Sequence, residues 1–149
     1  RREAFPLAVK EKGARERILA SGLADRDERL LRMALLEIQE AIPETLVPVL
    51  VNRVVKSDRP PDLRAMGARA LRNSSSTLAR DALIEVASTG KSLLGRRKLA
   101  HSSPEVIAAI GTLRAAWAQD SAAREILSAA LKSKDPEIVK AASDSKANA

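Results

Sequence analysis

The chain has 149 residues, 45% of them hydrophobic, enough for one domain with its own core and too apolar for a disordered segment. Aromatics make up 1%, Phe5 and Trp117, and Cys is absent, which excludes disulfides and thiolate-bound zinc and argues against an aromatic-rich β-sandwich. The net charge of +7 is unevenly spread: residues 91–104 carry four basic side chains and no acid, whereas residues 27–58 carry four basic and six acidic, unlike a uniformly basic DNA-wrapping surface.

Taken in order, residues 1–26 read as an N-terminal arm and capping helix, polar over 7–19 and stopped at Gly22. Asp25 or Asp27 is placed to cap a helix over 28–41, whose stripe is Leu31, Ala34, Leu35 and Ile38. Pro43 opens the next segment, 44–56. Its valines suit a strand, but Pro48 cannot donate to a ladder, and Val47, Leu50, Val51 and Val54 keep the helical period.

After a loop over 57–62, Leu63, Met66, Gly67, Ala70 and Leu71 recur at helical spacing, with Gly67 letting a neighbouring helix come close. A Ser-rich turn leads to a helix with Ala79, Ala82, Leu83, Val86 and Ala87, ended by Ser88-Thr89-Gly90. Residues 91–103 then break the rhythm as a basic insertion. Ser103-Pro104-Glu105 opens a helix with a cap, a first-turn proline and an acid at the positive end; Ile107, Ile110, Leu113 and Trp117 form its stripe. A last full helix carries Ala123, Ile126, Leu127, Ala130 and Leu131, Asp135-Pro136-Glu137 starts a short closing one, and 143–149 read as a flexible tail.

The pattern repeats. Leu30, Met33, Ile38 and Leu50 align with Leu63, Met66, Leu71 and Leu83 at a shift of 33. Ala79 to Leu83 align with Ala123 to Leu127 at a shift of 44, the difference being the insertion. Paired amphipathic helices of this kind bury their stripes only by stacking on neighbours, which predicts an all-α repeat protein.

Two segments carry a family resemblance. Leu46-Val47-Pro48-Val49-Leu50, then Asp58, then Leu63-Arg64-Ala65-Met66-Gly67-Ala68 form one, and Asp135-Pro136-Glu137-Ile138-Val139-Lys140-Ala141-Ala142 the other. They resemble HEAT repeats, including the bacterial HEAT-like type, over residues 27–142. The resemblance implies a right-handed α-solenoid of stacked antiparallel helix pairs, about three repeats plus end caps. It also implies that Arg64 and Lys140 brace turns, and that the second helix of each pair lines the concave face. Asn52, Arg53, Lys56, Arg80, Asp81, Glu85, Arg124 and Lys132 are the solvated positions there, and their mixed signs suit a protein partner.

Other motifs have plainer explanations. Thr89-Gly90-Lys91-Ser92 matches the end of a phosphate-binding loop, but Glu85 stands where that motif needs a glycine and a helix precedes it. His101, the single His, has no second ligand or nucleophile beyond neighbouring Ser102 and Ser103, and reads as loop. Trp117, at the end of an apolar stripe, reads as core. Arg96, Arg97 and Lys98 form the centre of the basic insertion, either a solvated loop or a contact to an acidic protein surface or phosphate backbone.

The expectation is therefore a non-catalytic protein-interaction scaffold with no cofactor or metal, and a module of a larger protein, since the chain opens Arg1-Arg2-Glu3 without Met. Nucleic-acid binding through basic patches is the second reading, and a spacer or dimerisation segment a third. No apolar run nears the ~20 residues of a membrane span and no signal peptide is seen, so no membrane and a cytoplasmic setting are expected.

Overall fold

The computed structural model describes the backbone of residues 12–91 and 97–143, and the side chains of 13–89 and 98–143. Within those residues the chain is mostly helical, with one two-stranded hairpin. Helix α1 (Lys12–Leu23) leads to α2 (Glu28–Glu37), α3 (44–55), α4 (Pro61–Ala70), α5 (Thr77–Ala87), the strands β1 (Ser88–Lys91) and β2 (Arg97–Leu99), α6 (Pro104–Trp117), α7 (Ser121–Leu131) and α8 (Pro136–Ser143).

Local chemistry sets most of these bounds. Asp27 caps α2 by accepting from the amide of Arg29 at 2.9 Å, Ser76 caps α5 through Leu78 at 3.1 Å, and Asp120 caps α7 through Ala123 at 3.0 Å. Prolines occupy the first helical position of α4, α6 and α8, where a missing N–H costs nothing.

Four expectations need correction. Helix α1 runs through Gly22 to Leu23, because Leu19 and Leu23, one turn apart and both fully buried, hold its last turn against the core. Helix α2 stops at Glu37, four residues early, and Gln39 instead donates to the carbonyls of Leu35 and Met66 at 3.1 and 3.0 Å. Ser103 stands at the cap position of α6, but its hydroxyl accepts no first-turn amide. Ser88, Thr89 and Gly90, expected only to end α5, instead belong to β1, which pairs antiparallel with β2, and Ala100 donates to the carbonyl of Ala87 at 2.9 Å.

Helix α3 is helical, as its period predicts, but it changes pitch twice: a 3₁₀ turn (Glu44–Leu46), an α turn (Val47–Leu50) and a π turn (Val51–Val55). The widened π turn turns Val51, Val54 and Val55 all inward, each fully buried, while Asn52 and Arg53 face out. Those valines meet α4 at Gly67. A Cβ there would lie 3.0 Å from Val54 Cγ1 and 3.1 Å from Val55 Cγ2, so the close approach needs glycine.

Each helix packs on the next but one. The odd-numbered helices form one series, α1–α3–α5–α7, and the even-numbered ones another, α2–α4–α6–α8. Helix α6, the longest described, lies centrally and packs most extensively on α4, then on α5, α8 and α7. One apolar cluster runs from Leu19 to Ala142 through both series. Each fully buried Leu or Ile in it contributes about 1.5–3 kcal/mol. Hydrogen bonds join equivalent loops along the chain. Arg59 donates to the Asp25 carbonyl, Asn73 to that of Gln39, and the Ser74 hydroxyl to the Glu44 carboxylate, at sequence separations of 30 to 34. Among the described residues no helix is long and apolar enough to cross a membrane.

Candidate interaction surface

The odd-numbered helices bring six of the expected contact residues onto neighbouring elements. Asn52 and Arg53 are exposed in the π turn of α3 and Lys56 just after it, Arg80 and Glu85 lie on α5, and exposed Arg124 lies on α7. Several of these charges are occupied with one another. Lys56 pairs with Glu85 at 2.8 Å, tying α3 to α5; with both side chains more than two-fifths exposed, the pair is worth at most about 1 kcal/mol. Arg80 bridges Asp81 and Asp120, each at 2.9 Å.

Asp120, the residue before α7, is the hub: it caps α7 and accepts from Arg80. The Ala123 amide first, then the Arg80 guanidinium, hold its carboxyl below the usual range, and Asp81 and Asp120 together raise Arg80. Arg53 and Arg124 make no ion pair among the described residues, and so remain available on this side.

The even-numbered helices are joined by a different device. Arg32 on α2 reaches Asp62 at the start of α4, 2.9 Å away, and its guanidinium holds that carboxyl below the usual range. Arg64 on α4 reaches Glu105 at the start of α6 at 3.1 Å, while its Nε donates to the Val55 carbonyl at 3.0 Å. Arg64 thus braces a turn as expected and also spans to the next helix. Glu105 is 7% exposed and its Oε1 has no hydrogen-bond partner, so its charge depends on Arg64.

This sequence of rungs stops at α6. Counting from the helix-opening prolines, Asp62, Glu105 and Glu137 are equivalent, and Ile107 stands where α4 has Arg64. Glu137 therefore receives no arginine from α6. In place of a rung, a groove of about 730 Å³ opens between α6 and α8. Its floor is Ile107, Ala108, Gly111, Thr112 and Ala115 of α6 with Ala141 of α8. Arg69 and Arg72, at the end of α4, and Lys140 of α8 rim it beside Glu137, Ser102 and Ser103. Among the described residues the Lys140 side chain makes no hydrogen bond or ion pair with a turn, unlike the bracing role the resemblance implied. It lies one position beyond the residue equivalent to Arg64, which is Val139, and faces the groove instead.

Of the basic insertion, Lys98 is exposed on β2; Arg97 belongs to the same strand, and Arg96 lies outside the described residues, as do the arm over 1–11 and the tail from 144. Leu99 and Ala100 pack on the core, which anchors the hairpin to the body. His101 is exposed, and Trp117 is half-buried against the core. Among the described residues no group of three or more His, Cys, Asp or Glu side chains is placed to hold a metal ion. Comparison with protein-family models, curated proteins and solved structures finds no match.

Proposed function

We propose that the chain is a non-catalytic scaffold for protein partners, built as a right-handed HEAT-like α-solenoid of about three helix pairs plus end caps within a larger protein. The observation that carries this reading is the next-but-one packing along both helix series. The loop hydrogen bonds agree with it, since their separations of 30 to 34 widen to 41 for Arg64–Glu105 and 40 for Arg80–Asp120, the two contacts that span the hairpin. Units that lean only on their neighbours keep continuous outer faces for a ligand. A protein partner suits the odd-numbered side, where Lys56, Arg80, Glu85 and Asp120 alternate in sign and offset one another.

Phosphate-backbone binding is the second reading, favoured by the net charge of +7 and by Lys98 exposed on the hairpin. A retention assay on immobilised protein separates the two. The scaffold reading expects protein captured from lysate to survive nuclease treatment and to fall only modestly with salt. Capture abolished by nuclease, with affinity dropping steeply as salt rises, would favour the nucleic-acid reading instead.

A further inference from the structure

The geometry points to an occupant for the groove between α6 and α8: an acidic polypeptide segment that lays an aliphatic side chain over Gly111 and sets carboxylates against Arg69, Arg72 and Lys140. This rests on the scaffold reading and names the partner chemistry for one of its faces.

The floor selects an aliphatic group. A Cβ built on Gly111 meets nothing within 4 Å, in contrast to the crowding at Gly67. Ala108, Ala115 and Ala141 present single methyl groups around that opening. The Thr112 hydroxyl is turned back onto the Ala108 carbonyl at 2.7 Å, leaving no free donor from that side chain. An apolar side chain seated there gains burial without stranding a polar group.

The rim selects negative charge. Arg69, Arg72 and Lys140 are all exposed and none makes an ion pair among the described residues, whereas Arg29, Arg32, Arg64 and Arg80 all do. Arg69 and Arg72 are three residues apart at a helix end, so they lie on one side of it. Among the described residues Glu137 is the single acid on the rim, against three basic side chains. The positive end of α6, uncapped by Ser103, adds to the same field. Guanidinium forks match carboxylates in bidentate geometry, which gives orientation as well as attraction.

A nucleic-acid strand fits this place less well. Its bases would need a ring to stack on, and among the described residues no aromatic lines the groove.

The test is a selection of short random peptides against the full chain, followed by fluorescence anisotropy and thermal melts on variants. Selected peptides are expected to be acidic with an aliphatic residue. They should bind Gly111→Leu roughly tenfold more weakly, a loss of about 1.4 kcal/mol, while that variant melts at or above the wild-type temperature. The double variant Arg69→Ser/Arg72→Ser should weaken the same peptides, and Arg17→Ser/Arg26→Ser, exposed residues that do not line the groove, should leave them unchanged. Selection that yields no binders, peptides without acidic bias, or peptides held equally by Gly111→Leu would overturn the inference. So would displacement of the peptides by a single-stranded oligonucleotide of equal charge. A lysate protein retained equally by wild type and Gly111→Leu would leave the scaffold reading standing with its site elsewhere; no retained protein at all would sink the scaffold reading itself.

Discussion

Two glycines in the middle of neighbouring helices show how one residue type meets opposite demands. Gly67 of α4 faces the π turn of α3, where a Cβ would press on Val54, Val55 and Leu50 at 3.0 to 3.3 Å. Gly111 of α6 faces open space. In α4 the missing side chain lets two helices close on each other. In α6 it leaves a hollow at the place where the series of arginine–carboxylate rungs has run out. Glycine is about 1 kcal/mol worse than alanine inside a helix, so each position bears a cost. At Gly67 packing offsets that cost, and at Gly111 nothing within the fold does.

The comparison breaks most sharply under enlargement. Gly67→Leu should lower stability by about 3 kcal/mol, because the surrounding valines are stiff and fully buried, and denaturant unfolding should show an earlier midpoint. The rung beside the groove comes next. Arg64→Met leaves Glu105 buried with neither oxygen paired by a cation, and should cost about 2–3 kcal/mol in the same assay, whereas Glu105→Gln should cost less. Gly111→Ala should move the other way, gaining about 0.5–1 kcal/mol from helix propensity with no clash.

The smallest effect is acid sensitivity. Asp27, beside Arg29, Asp62, beside Arg32, and Asp120, on the Ala123 amide, all have carboxyls held below the usual range. A lowered folded pKa contributes stability above the unfolded value, about 3.9, and that contribution is lost as pH falls through the folded one. Melting temperature should therefore be flat near neutrality and decline below about pH 4, more shallowly in Asp120→Asn. A melting temperature that rose on acidification would contradict these pairings.

Much of this was legible in the sequence. The order of helices, a cap for α2 at Asp25 or Asp27, the first-turn proline at Pro104 and the reason for Gly67 follow from period and spacing, because local propensity and burial agree there. The hairpin was not legible: Ser88–Lys91 and Arg97–Leu99 are short, polar and without alternation, and they become strands by pairing with each other and docking Leu99 and Ala100 on the core. The π turn was hidden too, since it depends on fitting Val54 and Val55 together against Gly67. The link at Asp120 could not be read locally either, because its partner Arg80 lies on α5, 40 residues earlier. The groove left one trace, Ile107 in the position that carries Arg64 in α4, visible only once Pro61, Pro104 and Pro136 are set in register.

The most direct measurement pairs thermal melts with affinity for selected acidic peptides on two samples, Gly67→Leu and Gly111→Leu. Gly67→Leu should melt well below wild type, while Gly111→Leu should melt normally and bind the peptides about tenfold less tightly. A Gly111→Leu protein that melts as early as Gly67→Leu, or binds as wild type does, would contradict that expectation.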